Sequence, residues 1–171
     1  MFNGLILDID QTLVDSTSAS AARKRRAWRE VYSLIPGFKV YDGVREMIQL
    51  CRESGIRICI VSTAPRPYVK RVIAAHEIHA DYIVGYHDAY PVKPHPAPML
   101  KALELMGLKQ HEVISFGDRF VDESSSRSAG IAFVACLWGS TEFNVNTTMK
   151  SGTMRLCNSV ELPAFIQQIL S

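Results

Sequence analysis

Residues 5–12 of the chain read Leu5-Ile6-Leu7-Asp8-Ile9-Asp10-Gln11-Thr12. The apolar run at the start of this stretch predicts a strand that is buried on both faces, as in a parallel sheet. The carboxyl ends of such strands form the ligand-binding edge of an open α/β sheet. Two carboxylates about 4 Å apart repel by roughly 4 kcal/mol at an effective dielectric constant of about 20, so the acidic pair indicates a bound cation.

Further polar segments follow apolar stretches downstream. Ser62 and Thr63 follow the apolar run 58–61, and Lys93 lies in a proline-rich loop. Gly117-Asp118 follows the apolar run 113–116. Apolar strands alternate with amphipathic helical stripes, a pattern that predicts right-handed crossovers and a mostly parallel sheet with helices on both faces. We therefore predict a three-layer, doubly wound α/β fold.

The order of these segments resembles the haloacid dehalogenase-like (HAD) hydrolase superfamily. Its members carry Asp-x-Asp-x-Thr after the first strand, Ser or Thr after the second, a Lys, and Gly-Asp-x-x-x-Asp after a later strand. The matching positions, within about residues 2–136, are Asp8 to Thr12, Ser62, Lys93 and Gly117 to Asp122.

The resemblance implies phosphoryl transfer. Asp8 would be the nucleophile that forms an aspartyl-phosphate. Asp10 would give a proton to the leaving oxygen and later take one from the attacking water. Ser62, Thr63 and Lys93 would bind the oxygens of the transferring group. Relatives that remove halogens lack an acid at the position of Asp10, so this residue favours a phosphatase.

The resemblance also implies a magnesium site. Asp8, the backbone carbonyl of Asp10 and Asp118 would hold Mg²⁺, which prefers hard oxygen ligands and a substrate phosphate. Clustered carboxylates and a phosphate need such a cation on electrostatic grounds.

Two more residues of the motifs are expected to support the site. Asp122 would orient Lys93 or a metal-bound water, although an acid in the first turn of a helix also favours the helix dipole. The hydroxyl group of Thr12 would support the motif loop, with simple packing as the alternative.

The length of 171 residues favours one domain, 1–171, with one core. Residues 16–41 stand where many HAD members insert a larger helical cap, so the resemblance implies a capless or minimally capped member with a short helical insert. One apolar helical face predicts a single helix over the mouth of the site; it is formed by Trp28, Val31, Tyr32 and Ile35.

Residues 138–153 are rich in Gly, Ser, Thr and Asn and are expected to form a surface connection.

Basic side chains crowd the insert. They are Arg23, Lys24, Arg25, Arg26 and Arg29. Such a cluster could steer a substrate with several phosphates or follow a nucleic-acid backbone, and it is also typical of a solvated surface. Capless relatives often act on large substrates or close the site with a neighbouring subunit of a homo-oligomer. In contrast, the Lys93-Pro94-x-Pro96 loop is similar to that of the phosphoglycolate phosphatase-like branch, which acts mostly on small phosphorylated metabolites.

Composition restricts the cellular context. A formal net charge of +2 predicts neither an obligatory nucleic-acid partner nor a membrane partner. The four widely spaced cysteines indicate buried thiols of a reducing compartment rather than disulfides or a zinc site. The sequence contains no recognisable signal peptide or membrane-spanning run, and we expect a cytoplasmic protein.

The sequence therefore predicts a Mg²⁺-dependent phosphatase that hydrolyses a phosphomonoester through an aspartyl-phosphate. A phosphorylated small molecule is the favoured substrate, and nucleic-acid or protein phosphate ends are the alternative. A second hypothesis is a non-enzymatic HAD-like module that binds a phosphorylated partner, and the complete set of catalytic residues argues against it.

Overall fold

The computed structural model describes residues 2–139 and 152–170. Its strands are β1 (Gly4–Leu7), β2 (Val14–Asp15), β3 (Lys39–Val40), β4 (Arg57–Val61), β5 (Tyr82–Val84), β6 (Val113–Gly117), β7 (Ala132–Cys136) and β8 (Met154–Leu156). Its α-helices are α1 (Ser20–Lys24), α2 (Trp28–Leu34), α3 (Val44–Glu53), α4 (Arg66–Ala75), α5 (Ala97–Met106), α6 (Phe120–Ser128) and α7 (Leu162–Leu170).

The main sheet places β1 between β4 and β6. Within the described residues it has six strands in the order β5-β4-β1-β6-β7-β8, and every pair is parallel. The chain builds outward from β1 through β4 to β5, and then crosses to the other side of β1 for β6, β7 and β8. The strand order therefore reverses beside β1, and ligands bind at the carboxyl ends of strands around such a point. The predicted doubly wound α/β fold is confirmed.

Successive residues of β1 face different apolar cores, as expected for a strand covered on both sides. Leu5 and Leu7 pack in the core that includes α3, α4 and α7, whereas Ile6 packs in the core that includes α5. The register aligns Ile6 with Ser115 and Ser115 with Phe133, so these residues share one face. Phe133 packs there against α6. The three predicted layers are thus helices, sheet and helices.

Helix α3 follows the predicted apolar periodicity. The buried residues of its stripe are Val44, Met47, Ile48 and Cys51. The helix ends at Glu53, and Gly55 has a φ of 71°, a left-handed conformation in which glycine carries no steric penalty. This turn leads the chain directly into β4.

The insert at residues 16–41 contains two short helices, so the prediction of a single helix was wrong. Helices α1 and α2 are separated at Arg26, whose φ of 57° is incompatible with a right-handed helix. After α2, β3 pairs antiparallel with β2 and ties the end of the insert to the chain that leaves the motif loop. The description of the chain as one domain carrying a short insert stays a prediction.

Three thiols lie in the interior. Cys51, Cys59 and Cys136 are buried and unpaired, whereas Cys157 is exposed. Burial raises the pKa of the Cys51 and Cys59 thiols to about 12.

Across residues 2–139 and 152–170, no helix has the length and apolar character needed to cross a membrane. Most of the connection predicted at 138–153 lies outside the described residues.

Candidate active site

Three strand ends and one loop converge beside β1. Asp8 directly follows β1, Ser62 follows β4 and Asp118 follows β6. Lys93 reaches the same place from the loop between β5 and α5, where its ammonium group contacts Asp8. The structure therefore brings together residues that the sequence separates by up to 110 positions. Asp8, Ser62 and Asp118 meet as their positions at carboxyl strand ends predicted, and Lys93 joins them from a loop.

Lys93 is the central cation of this group. Its Nζ donates to Asp8 Oδ1 at 2.8 Å, to Asp122 Oδ1 at 2.6 Å and to the carbonyl oxygen of Val61 at 2.7 Å. The residue is only 5% exposed. Asp122 also accepts from the backbone N–H of Arg119 at 3.1 Å, at the start of α6. Asp122 thus caps the first turn of α6 and also contacts Lys93.

We call Asp8, Lys93, Asp118 and Asp122 the floor of the site. Burial raises the pKa of Asp8 to about 6, although the charge of Lys93 opposes the shift. Burial and the charge of Asp8 raise the pKa of Asp118 to about 8. Burial works against the ammonium group of Lys93, yet the charges of Asp122 and Asp8 raise its pKa above the usual value. The floor therefore holds more negative charge than its own lysine balances.

This excess of negative charge fits a bound cation. Asp8, Asp118 and Asp122 each offer a carboxylate oxygen, these oxygens lie within 4.8 Å of one another, and all three residues are buried. Hard oxygen donors of this kind suit a divalent cation such as Mg²⁺. The sequence predicted Asp8 and Asp118 as direct ligands and Asp122 as a supporting residue, and the side chain of Asp122 lies in the same cluster.

The motif loop after β1 is fixed from two sides. The hydroxyl group of Thr12 donates to Asp118 Oδ1 at 3.2 Å, and the carbonyl oxygen of Thr12 accepts from Trp138 Nε1 at 3.2 Å. Gly139 packs so close to the backbone of Gln11 that a Cβ atom at this position would lie 1.8 Å from the Gln11 carbonyl oxygen. Residues just after β7 therefore close over the loop that carries the acidic pair.

The hydroxyl groups after β4 line the cleft above the floor. Ser62 is buried, and its Oγ accepts from the backbone N–H of Ala64 at 3.1 Å. Thr63 Oγ1 accepts from the guanidinium of Arg119 at 3.3 Å. Both hydroxyls line the same cleft as Asp8 and Asp118, as the predicted phosphate site requires.

Asp10 lines the same cleft as the floor, and its side chain is held by other partners. Its Oδ1 accepts from Ser16 Oγ at 2.6 Å and from the hydroxyl group of Tyr68 at 2.5 Å, and it forms an ion pair with Arg23. We call Asp10, Ser16, Arg23 and Tyr68 the rim of the site. Burial and the charge of Asp10 raise the pKa of Tyr68 far above its usual range, so its phenol remains a hydrogen-bond donor. The sequence predicted Asp10 but not these partners.

The open cleft above the floor has a volume of about 600 Å³. Arg23, Lys24 and Arg26 of the insert line it, together with Arg119. Arg25 instead pairs with Glu30 at 3.0 Å on the exposed surface. The basic cluster is therefore divided, because some of its members face the cleft and others the outer surface.

Besides Ser16, sequence reasoning missed Arg119, which lines the cleft, and Tyr68, which contacts Asp10. Arg119 lies inside the Gly-Asp-x-x-x-Asp motif, and its charge lowers the proton affinity of Asp8 and Asp118. An arginine beside an acidic motif residue was a visible signal. Tyr68 lies in the first turn of α4, and its sequence surroundings, Pro65 to Val69, contain no sign that its hydroxyl group reaches Asp10.

Comparison with known proteins agrees with this geometry. Buried carboxylates and a lysine lie at the switch point of a doubly wound sheet, which is where α/β proteins of this class bind their ligands. The family model described as haloacid dehalogenase-like hydrolase matches residues 20–136. The chain belongs to this family, as the motifs predicted.

Curated relatives carry phosphatase names. Pyrophosphatase PpaX of Bacillus mycoides is 35% identical over 100 residues, which are 57% of this chain and 46% of that protein. Phosphoglycolate phosphatase of Pectobacterium atrosepticum is 27% identical over 146 residues, 80% of this chain and 62% of that protein. The chain spans about half the length of the PpaX relatives that it matches.

Solved structures share the fold. CbbY from Rhodobacter sphaeroides, in complex with phosphate, aligns with a TM-score of 0.77 at 17% identity and covers 95% of this chain and 96% of its own. A HAD-superfamily hydrolase of subfamily IA from Geobacter sulfurreducens aligns with a TM-score of 0.76 at 19% identity, over 96% of this chain and 100% of its own.

Proposed function

We propose that the protein is a Mg²⁺-dependent phosphatase that hydrolyses a phosphomonoester through an aspartyl-phosphate on Asp8. The observation that carries the proposal is the floor: Asp8 is buried at the switch point, 2.8 Å from the ammonium group of Lys93. The positive charge of Lys93 beside Asp8 favours the ionised carboxylate, the form that a nucleophile requires.

The reaction would proceed in two displacements. A carboxylate oxygen of Asp8 forms a bond to phosphorus as the ester P–O bond breaks, and the leaving oxygen takes a proton from Asp10. A water molecule then attacks phosphorus, gives its proton to Asp10 and releases Asp8 and inorganic phosphate. Dividing one difficult displacement into two is the advantage of a covalent intermediate.

Fixed donors would stabilise the transferring group. Its charge spreads over three oxygens, so Lys93 and the hydroxyl group of Ser62 stabilise the transition state by position and charge. We assign the cation to Asp8, Asp118 and the carbonyl oxygen of Asp10, with Asp122 holding Lys93. A bound Mg²⁺ would neutralise phosphate charge.

A small phosphorylated molecule is the substrate class that we propose. The names of the PpaX and phosphoglycolate phosphatase relatives support it, and a cleft of about 600 Å³ suits a small ligand. A continuous basic path for nucleic acid has little support, because Arg25 pairs with Glu30 away from the cleft. The cytoplasmic location and the closing of the site by a second subunit stay predictions.

Phosphate release tests the proposal. We expect turnover with Mg²⁺ on a panel that includes pyrophosphate, phosphoglycolate, sugar phosphates and phosphorylated oligonucleotides, and none after chelation. Asp8→Asn should lose at least about 10⁴-fold in kcat/KM, whereas the exposed control Asp42→Asn should behave as wild type. Acid quenching with labelled substrate should trap label on the wild-type protein. Binding of phosphorylated compounds without phosphate release would instead indicate a non-enzymatic module.

A further inference from the structure

Three side chains from outside the motifs contact the carboxyl group of Asp10. Ser16 Oγ donates at 2.6 Å and the Tyr68 hydroxyl at 2.5 Å, and the guanidinium of Arg23 forms an ion pair. Each of these contacts falls on Oδ1. The carboxyl group is therefore held by one oxygen, and these contacts do not use Oδ2.

Packing and ring contacts hold Tyr68 beside Asp10. Its side chain is fully buried, and its ring lies 6.0 Å from the ring of Trp28. The hydroxyl group also accepts from Arg23 Nη1 at 3.3 Å, and the guanidinium carbon lies 5.9 Å from the ring centroid. Tyr68 and Arg23 thus form a connected unit, in which α4 and the insert hold the same carboxylate oxygen.

We propose that Tyr68 is a positioning residue for acid–base catalysis: with Arg23 it fixes Asp10 through Oδ1, so that Oδ2 faces the ester oxygen. This inference rests on the proposed function. Proton transfer requires the acid and the leaving oxygen to lie within hydrogen-bond distance, and a misplacement of about 1 Å can cost about 100-fold in rate. An ordinary packing role would leave the chemical step unaffected.

Tyr68→Phe tests this role because it removes the hydroxyl group and keeps the ring. We expect kcat/KM on an alkyl phosphate, whose leaving group needs a proton, to fall by about tenfold or more. On 2,4-dinitrophenyl phosphate, whose leaving group departs without protonation, the loss should stay below about threefold. Ser16→Ala, which removes the other hydroxyl group that donates to Asp10 Oδ1, should show the same pattern.

A double-mutant cycle with Asp10→Asn completes the test. If Tyr68 acts through Asp10, adding Tyr68→Phe to Asp10→Asn should cause no further loss on the alkyl phosphate. Tyr32→Phe, a partly buried tyrosine whose ring also packs against Trp28, is the matched control and should behave as wild type.

The outcomes separate the two proposals. A wild-type protein that releases no phosphate from any ester would overturn the proposed function and, with it, this role of Tyr68. If wild type is active, then equal losses on both leaving groups, full additivity with Asp10→Asn, or wild-type activity of Tyr68→Phe would each overturn the positioning role alone.

Discussion

Asp8 and Asp10 are separated by one residue, yet the protein holds them by different means. Asp8 lies on the floor, where strand ends and the buried Lys93 fix it. Asp10 lies on the rim, where its partners are Ser16, Arg23 and Tyr68 from the insert side and from α4. The floor is thus set by the topology of the sheet, whereas the rim depends on side chains from the insert and from α4. Changes in the two regions should have different effects.

The largest effect is expected on the floor, from Lys93→Met. The substitution leaves Asp8 and Asp122 buried without their common cation, and breaking a buried ion pair in this way costs about 3–5 kcal/mol of unfolding free energy. Loss of an electrostatic donor should also lower kcat/KM by about 10³-fold. Denaturant unfolding and phosphate release measure both, with the more exposed Lys101→Met as the control. Unchanged stability would mean that Lys93 does not hold the floor together.

The floor should also make stability depend on pH in an unusual direction. The pKa values of Asp8 and Asp118, about 6 and about 8, are raised above the ordinary value of 3.8. The folded state therefore binds more protons than the unfolded state between about pH 4 and pH 8, so stability falls as pH rises, by up to about 1.4 kcal/mol per pH unit for each group.

Unfolding in chelator at several pH values measures this slope. Saturating Mg²⁺ should weaken it, because the cation favours the ionised carboxylates. Asp118→Asn should flatten it. If the chelated wild-type protein instead becomes more stable from pH 5 to pH 8, folding does not raise the pKa values of the floor carboxylates.

A smaller effect on stability and turnover is expected from Gly117→Ala, because the backbone of Gly117 packs against Asp122 of the floor. A Cβ atom there would lie 2.5 Å from Asp122 Cβ and 2.7 Å from its Cγ, so Gly117→Ala should displace Asp122 from Lys93. We expect a loss of about 1–3 kcal/mol in stability and about tenfold in kcat/KM. Gly37→Ala is the control, because a Cβ at Gly37 meets no atom within 4 Å. Equal behaviour of the two variants would contradict this account.

The smallest effect is expected from replacing the basic side chains of the insert that line the cleft. Replacing Lys24 and Arg26 with alanine together should raise KM by about threefold at low salt, and the difference should shrink in high salt, because exposed charges act mainly by steering. The value of kcat should stay unchanged. Arg29→Ala, from the same cluster, should have no effect on KM. A salt-independent rise in KM would indicate direct contact with substrate instead.

The floor could be predicted because its information is local. An apolar run in the sequence predicts each strand. Because the carboxyl ends of parallel strands lie at one edge of the sheet, Asp8, Ser62 and Asp118 are predicted to lie close together. Lys93 needed the family resemblance, since a lysine in a proline-rich loop carries no local signal of burial.

The rim could not be predicted in the same way. Tyr68 falls on an apolar helical face, where a tyrosine is as suitable for packing as for hydrogen bonding. The insert has helical periodicity at Trp28 and Val31, but the left-handed residue Arg26 divides it, and no glycine marks this break. Contacts of Arg23 and Tyr68 with Asp10 arise only from how helices pack on the sheet.

The contact between Trp138 and Thr12 has a consequence for protein synthesis. The two residues are 126 positions apart, and Trp138 Nε1 donates to the carbonyl oxygen of Thr12. At about 5–20 residues per second, a ribosome needs roughly 6–25 seconds to make the chain between them. The nascent polypeptide therefore carries Asp8 and its loop well before the segment that closes over the loop has been synthesised, and we expect this contact to form only after that segment has emerged.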